Sequence, residues 1–214
     1  MPSLLVSRGT TKLVIEGFPR SANTFSVRMF HAANPEITAD QISHHSHSIS
    51  NVKRAVRWSI PVVVVIRNPV DAIASTMIFL DDTSDAMSGL LATQYIDFYE
   101  WVEGNHDNVV LLRFEDVTNG GFGRACRLIN ERFGTGFRTE FDEVELARSA
   151  REAIMLRSPN RENESRMPLP SRSRSEIAAA LRSRIAANPV VRRALGLYDR
   201  IVATCLDEAP RRSS

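Results

Sequence analysis

The side chains best suited to chemistry in this chain are arginines and histidines that stand near short apolar runs. Arg20 stands three residues after Gly17, in a turn that follows the apolar run Leu13–Phe18. Arg67 directly follows a second apolar run, Val62–Ile66. A guanidinium group presents a planar set of donors that suits the oxygens of phosphate and sulfate. The two positions therefore indicate a site for an anionic ligand.

Histidines form a second candidate group. Four of the five lie early in the chain, and three of these fall within the run Ser43–Ser48, namely His44, His45 and His47. Histidine has an ordinary pKa of about 6.5, so it is able to take a proton from a hydroxyl group near neutral pH. A His-x-His pattern also occurs in metal sites, but no Cys, Asp or Glu with ligand-like spacing stands nearby. The run therefore predicts a general base and no metal.

The elements that position these groups follow a regular alternation. The apolar runs Leu13–Phe18, Val62–Ile66 and Val109–Phe114 predict buried parallel strands. A polar turn and a helical pattern follow each run, which is typical of an α/β fold with a mostly parallel central sheet in three layers. Helices are predicted from about Thr24 to before Asn34, from Pro69 to Leu80, and over 84–102, 122–133, 142–156, 176–187 and 189–206.

The C-terminal half differs in composition from the first half. Of the 27 basic residues 25 are arginine, and nine of these fall within 157–193, against three glutamates. The segment 157–175 is polar, contains three prolines and predicts a long loop, which in a compact domain is usually disordered or functional. We interpret 1–214 as one domain, with an α/β core over 12–118 and a helical portion over 119–214.

The turn after the first strand is similar in length to the nucleotide-binding P-loop, G-x-x-x-x-G-K-[ST]. Gly17 and Thr24 take its first and last positions, whereas Ala22 replaces the second glycine and Asn23 replaces the lysine. A kinase needs that lysine on the β- and γ-phosphates. A kinase or other nucleotide phosphotransferase is therefore disfavoured, although it remains one alternative.

Three strings resemble motifs of the sulfotransferase family that uses 3′-phosphoadenosine-5′-phosphosulfate (PAPS), in its small bacterial form. The string 19–25 resembles the 5′-phosphosulfate loop P-[KR]-S-G-[TN]-T-[WF], with Ala22 in place of glycine. The string 67–75 resembles the 3′-phosphate motif R-[ND]-P-x-D-x-x-x-S at every specified position, and 109–117 resembles a strand ending in [YF]-E-D-[LV]. The R-K-G element of cytosolic eukaryotic members is absent.

This resemblance implies a P-loop-like topology, PAPS as donor and adenosine 3′,5′-bisphosphate (PAP) as its product. It implies that the 5′-phosphosulfate is bound by Arg20, Ser21, Ala22, Asn23, Thr24 and Phe25. It implies that the 3′-phosphate is bound by Arg67 and Ser75, and that Phe114 lies near the adenine. From the polar loop, Arg172 is expected to contact the donor, with Arg166 and Arg174 as further candidates. His47 is the first choice as general base and His45 the alternative, while Arg20 is expected to neutralise charge on the leaving group.

The acceptor is expected to be a small molecule, a lipid or a carbohydrate with a hydroxyl group or an amine. No nucleic-acid partner is expected, because aromatic and basic residues do not interleave. No run is long enough to span a membrane. Cys126 and Cys205 cannot build a disulfide framework, which favours a cytoplasmic location. The oligomeric state stays open, and a non-catalytic module that binds nucleotides or polyanions is a second alternative.

Overall fold

The computed structural model describes residues 4–157, 169 and 172–203. Its centre is a four-stranded sheet in which every pairing is parallel, in the spatial order β2-β1-β3-β4. The strands are β1 (Leu13–Glu16), β2 (Ile42–His44), β3 (Val62–Ile66) and β4 (Val110–Arg113). The prediction of an α/β fold with a mostly parallel sheet is confirmed.

Helices cover both faces of the sheet, which gives the three predicted layers. Along β3 the residues alternate between two cores: Val62, Val64 and Ile66 face one of them, and Val63 and Val65 face the other. All five are buried, which explains why the strand is continuously apolar. The helices are α1 (Asn23–Ala33), α2 (Ile49–Arg57), α3 (Pro69–Leu80), α4 (Asp85–Glu103), α5 (Phe114–Thr118), α6 (Phe122–Phe133), α7 (Glu143–Arg157), α8 (Arg172–Ala187) and α9 (Pro189–Ile201).

The first core is formed with α2, α3, α4, α8 and α9, and the second with α1, α5, α6 and α7. The helices of the C-terminal half are thus divided between the two faces, with α7 packed on α1, α8 on α3 and α9 on α4. None of the helices described combines the length and the apolar character that crossing a membrane requires.

The predicted boundaries differ from the observed ones in a few places. The strand β2 was not predicted, because it has only three residues and two of them, Ser43 and His44, are buried polar residues without an apolar alternation. The helix α8 begins at Arg172, so residues 172–175 belong to a helix and not to the predicted polar loop. Of the remainder of that loop, 158–168 and 170–171 lie outside the described residues, as do residues 204–206 of the last predicted helix.

Two of the four helices that follow a strand directly, α2 and α3, begin with a side-chain cap. Asn68 Oδ1 accepts from Val70 N at 3.0 Å at the start of α3, and Pro69 takes the first helical position. The start of α1 is different, because its N-cap residue Ala22 has a left-handed backbone with φ 67° and provides no side-chain acceptor. The first amides of α1 are therefore not capped by the residue that precedes the helix.

Two buried tyrosines of α4 fix the carboxyl ends of the two central strands. The Tyr99 hydroxyl donates to Val65 O at 2.7 Å and accepts from Phe18 N at 3.2 Å, so it joins the ends of β3 and β1. The Tyr95 hydroxyl donates to Arg67 O at 2.9 Å. Burial raises the pKa of both phenols, so both remain neutral donors at physiological pH.

The left-handed backbone at Ala22 leads to a stability prediction. We expect Ala22→Gly to change the free energy of unfolding by less than about 0.5 kcal/mol, because relief of the unfavourable φ offsets the extra backbone entropy that glycine loses on folding. The control is Ala179→Gly, at an exposed position inside α8, where a loss of about 1 kcal/mol is expected. Urea unfolding of both variants measures the difference. Equal losses at the two positions would contradict the assigned conformation of residue 22.

Candidate functional site

The predicted site residues meet at one edge of the sheet. The turn 17–22 leaves the carboxyl end of β1 and enters α1, Arg67 follows β3, and residues 45–48 follow β2. Since these three strands are parallel neighbours, their carboxyl ends lie side by side, and ligands of open α/β sheets bind at such an edge. The topology thus brings together arginines and histidines that the sequence separates by 20 residues or more.

The turn after β1 has an unusual backbone. Arg20 and Ala22 both have positive φ, 65° and 67°, which is uncommon for residues that carry a Cβ. Gly17 is required by a close approach, because a Cβ at this position would lie 2.4 Å from Val65 O. Strained backbone of this kind concentrates at functional sites, where the surrounding structure holds it in place.

Arg20, Arg67 and Ser75 form one hydrogen-bonded group. Arg20 Nε donates to Ser75 Oγ at 3.2 Å, and Arg67 Nη1 donates to the carbonyl oxygen of Arg20 at 2.9 Å. The Arg67 guanidinium lies 4.2 Å from the centre of the Phe114 ring, and that of Arg20 lies 5.4 Å from the Phe79 ring. The sequence motif pairs Ser75 with Arg67, whereas in the structure Ser75 is bonded to Arg20.

The electrostatics of this group favour a bound anion. Burial, together with the positive charges of Arg174 and Arg67, lowers the pKa of Arg20 to about 10. Burial also lowers the pKa of Arg67, an effect that Asp71 and Glu115 partly oppose. Arg20 stays protonated at neutral pH, so half-buried positive charges stand close together there. A negatively charged ligand would stabilise this arrangement.

The helix α8 brings Arg174 to this edge of the sheet. Arg182 Nε forms an ion pair with Asp71 Oδ1 at 2.8 Å, and Arg184 Nε forms one with Asp85 Oδ1 at 3.2 Å, so the helix is tied to the starts of α3 and α4. Two other arginines, Arg172 and Arg166, were also predicted to contact the donor. Arg172 begins α8, but its side chain lies outside the described residues, and Arg166 lies outside them altogether.

Other predicted residues of the turn have distinct surroundings. Asn23 Nδ2 donates to Gly17 O at 3.1 Å and to Phe18 O at 3.2 Å, so this side chain supports the turn from within. Ser21 is fully buried beside the Tyr99 hydroxyl, whose pKa its side chain lowers, and its Oγ has no other hydrogen-bond partner in the described part of the chain. The Phe25 ring is buried in the core, with the Arg151 guanidinium 5.6 Å from its centre.

His47 has the hydrogen bonds of a proton acceptor. Its Nδ1 lies 2.8 Å from Gly17 O, and because a carbonyl oxygen only accepts, the Nδ1 atom bears the hydrogen. In the neutral ring the other nitrogen, Nε2, then has its lone pair available. No described residue forms a hydrogen bond with this Nε2 atom. His47 is therefore able to accept a proton from a molecule bound at this edge.

The two neighbouring histidines are engaged with protein atoms. His45 Nε2 lies 2.7 Å from Thr24 Oγ1, and His45 Nδ1 lies 2.8 Å from His44 Nδ1, so both ring nitrogens of His45 have partners. Burial, together with nearby positive charge, lowers the pKa of His44 to about 4 and that of His45 to about 3. Both rings are neutral at physiological pH, and His45 supports the start of α1 through Thr24.

Several residues of the site were not predicted from the sequence. Glu16, at the end of β1, is fully buried and accepts hydrogen bonds from Ser46 and His47. Its signal in the sequence is a carboxylate inside the otherwise apolar run Leu13–Phe18. Tyr95 and Tyr99 stand four residues apart, on one face of α4, which is also the spacing of ordinary core residues. Within the described residues, no group of three or more His, Cys, Asp or Glu side chains is arranged to hold a metal.

Comparison with known proteins gives the fold. No protein-family model matches the chain, and no curated protein matches it. Among solved structures it is similar to the crystal structure of mouse sulfotransferase SULT7A1 complexed with PAP, with a TM-score of 0.52. The match covers 92% of this chain and 90% of that chain at 11% sequence identity. The chain has a sulfotransferase-like fold.

The likeness extends over nearly the whole chain, including the helical C-terminal half, for which the sequence motifs gave no specific signal. It confirms the predicted fold class. At this identity the likeness is one of fold, and the roles of individual residues depend on their own geometry.

The buried histidines lead to a prediction about pH. An unfolded chain binds protons at its histidines below about pH 6.5, whereas the folded protein keeps His44 and His45 neutral until the pH approaches their lowered pKa values. The free energy of unfolding should therefore fall as the pH drops from 7 towards 4, by about 2 kcal/mol at pH 5 for one such histidine. Urea unfolding across this range measures the slope.

In the variant His45→Asn the free energy of unfolding should depend less steeply on pH. The matched control is His106→Asn, at a half-exposed position before β4, which should keep the original slope. An unchanged slope in His45→Asn would contradict a buried neutral state for this ring.

Proposed function

We propose that this protein is a PAPS-dependent sulfotransferase, which transfers a sulfuryl group to a hydroxyl group or an amine of an acceptor molecule. The observation that carries the proposal is the half-buried, hydrogen-bonded group of Arg20, Arg67 and Ser75 at the sheet edge where His47 Nδ1 donates to Gly17 O and no described residue bonds to His47 Nε2. The similarity of the fold to a sulfotransferase complexed with PAP supports it.

Donor binding is assigned to two neighbouring parts of this edge. The first amides of α1, the Ser21 hydroxyl and the Arg20 guanidinium provide donors for the 5′-phosphosulfate. Arg67 and Ser75 provide donors for the 3′-phosphate. The observed bond between Arg20 and Ser75 supports a continuous anion site, in which Arg20 reaches both phosphate groups. Phe114, against which Arg67 is stacked, is proposed to lie beside the adenine.

The reaction requires one proton transfer and one displacement at sulfur. The acceptor oxygen forms a bond to sulfur while the bond between sulfur and the bridging oxygen of the 5′-phosphate breaks. The acceptor proton passes to His47 Nε2, and the imidazolium keeps its Nδ1–H bond to Gly17 O. The electron pair of the broken bond remains on PAP, whose added negative charge is stabilised by Arg20 and by the positive charge of Arg67 and Arg174.

A kinase reaction is less well supported by the same residues. The lysine of a nucleotide P-loop contacts the β- and γ-phosphates. Asn23 takes that position here, and its amide is bonded to two carbonyl oxygens of the turn. It therefore has no donor directed at a triphosphate, while the arginines provide positive charge for a bisphosphate.

Binding of PAP tests the donor site. We expect PAP to raise the melting temperature more than adenosine 5′-monophosphate does, because only PAP has a 3′-phosphate for Arg67 and Ser75. At a hundredfold excess over Kd the stabilisation is about 2.7 kcal/mol. Arg67→Ala should weaken PAP binding by about 1.5–3 kcal/mol. Calorimetry measures these affinities, and Arg200→Ala, in an exposed ion pair with Glu103, is the control. Equal shifts for the two nucleotides would refute this assignment.

Transfer of labelled sulfate from PAPS to a panel of phenols, lipids and carbohydrates tests the reaction itself. Once this screen has identified an acceptor, His47→Asn should lower kcat by about 10²–10⁴-fold, because a general base contributes a factor of this size. PAP affinity should stay close to that of the wild type, and His106→Asn should be without effect. Arg20→Ala should lower kcat more than it raises KM.

Two outcomes would overturn the proposal in different ways. PAP binding without transfer to any acceptor would indicate a non-catalytic binding module. Normal turnover in His47→Asn would place the base elsewhere, and Asp81 and Asp82, which follow α3, would be examined next.

A further inference from the structure

Glu16 is a buried charged group that the proposed reaction does not use directly. It ends β1, immediately before Gly17, and none of its surface is exposed. Burial of a carboxylate is unfavourable unless hydrogen bonds satisfy its oxygens. Four uncharged donors do so here: Ser46 N at 2.9 Å, Ser46 Oγ at 2.5 Å, His47 N at 3.1 Å and Asn51 Nδ2 at 3.2 Å.

These donors come from the segment that holds the candidate base. His45 and His47 both have positive φ, 58° and 48°, so the turn between β2 and α2 is unfavourable for residues with a Cβ. The two oxygens of Glu16 bind successive backbone amides in this turn, at Ser46 and His47. A strained turn persists only where surrounding contacts hold it in place. The hydrogen bonds to the Glu16 carboxylate hold this turn.

Asn51 connects the carboxylate to the rest of the fold. Its Nδ2 donates to Glu16 and also to Ser43 Oγ at 2.9 Å, while its Oδ1 accepts from Val6 N at 2.9 Å. Glu16 is therefore held rigidly between β1, β2 and α2. These bonds fix the position of the turn relative to the sheet, in addition to fixing the conformation of the turn.

The ring of His47 is held by the residue that follows Glu16. Its Nδ1–H donates to Gly17 O, so the backbone of His47 is bound to Glu16 and its side chain to Gly17. The same carbonyl accepts from Asn23 Nδ2 of the phosphate-binding turn at 3.1 Å. We infer that Glu16 is a positioning residue, which fixes the tautomer and the orientation of His47 so that Nε2 faces the donor site.

The catalytic consequence of this inference rests on the proposed function, whereas the tautomer is measurable without any reaction. Glu16→Gln keeps the shape of the side chain but replaces one oxygen by an NH₂ group. In either orientation of the amide, this NH₂ group faces one of the two backbone N–H groups, of Ser46 or His47, that the carboxylate accepts from. One of the two amide bonds to the turn is thereby lost. We expect His47 to change from a predominantly Nδ1–H ring to a mixture of tautomers, which ¹⁵N NMR of the histidine rings detects.

Kinetics provide the second measurement. Glu16→Gln should lower kcat by about 10- to 100-fold, the scale expected when a reacting group is displaced by roughly 1 Å. The affinity for PAP should stay within about threefold of the wild type, because no donor-binding side chain is changed. The control is Ser88→Ala, which removes a buried hydroxyl bonded to Asp85 O in α4. It should leave the tautomer and kcat unchanged even if it lowers the melting temperature.

Ser46→Ala makes the same test if Glu16→Gln does not fold, since it removes one donor and leaves the carboxylate in place. A partial change in the His47 tautomer is expected from it. An unchanged tautomer in a folded Glu16→Gln protein, or in Ser46→Ala where that takes its place, would overturn the inference. Failure of the wild type to transfer sulfate would instead refute the proposed function and leave the NMR result standing.

Discussion

The close approach of β1 and β3 at their carboxyl ends is the constraint on which the rest of the site depends. Gly17 lies so near Val65 O that no side chain fits between the strands, and the Tyr99 hydroxyl bonds to both of them. This junction brings the carbonyl of Arg20 within reach of Arg67 and the carbonyl of Gly17 within reach of His47. A larger residue at position 17 would therefore separate Arg20 from Arg67 and Gly17 from His47 at the same time.

The site combines several unfavourable features that the surrounding core offsets. Arg20 and Arg67 are largely buried close to one another, and four residues of this edge with a Cβ have left-handed backbones: Arg20, Ala22, His45 and His47. Each such backbone costs on the order of 1–2 kcal/mol. The two apolar cores on either side of the sheet provide the stability that allows this arrangement. Unfavourable features of this kind concentrate at functional sites in proteins.

Features that depend on neighbouring residues could be predicted from the sequence, whereas features that depend on contacts between distant residues could not. Continuous apolar runs identified three strands, and Pro69 identified the start of α3, because these signals are local. The bond between Arg20 and Ser75 joins residues 55 apart, and Glu16 reaches a turn 30 residues away, so spacing along the chain could not reveal either. The start of α8 was placed too late, because Arg-Ser-Arg-Ser has no apolar residue to mark a helical face.

The ion pair between Arg182 and Asp71 also has a consequence for how the protein is made. The two residues are 111 positions apart, and the helix that they fasten to α3 is the one that adds Arg174 to the edge of the sheet. A nascent chain leaves the ribosome from its N-terminus. The turns that hold Arg20 and Arg67 would therefore emerge well before α8, and a chain stalled between them would lack the charge of Arg174. The edge of the sheet therefore gains the positive charge of Arg174 only after α8 has been made and has packed on α3.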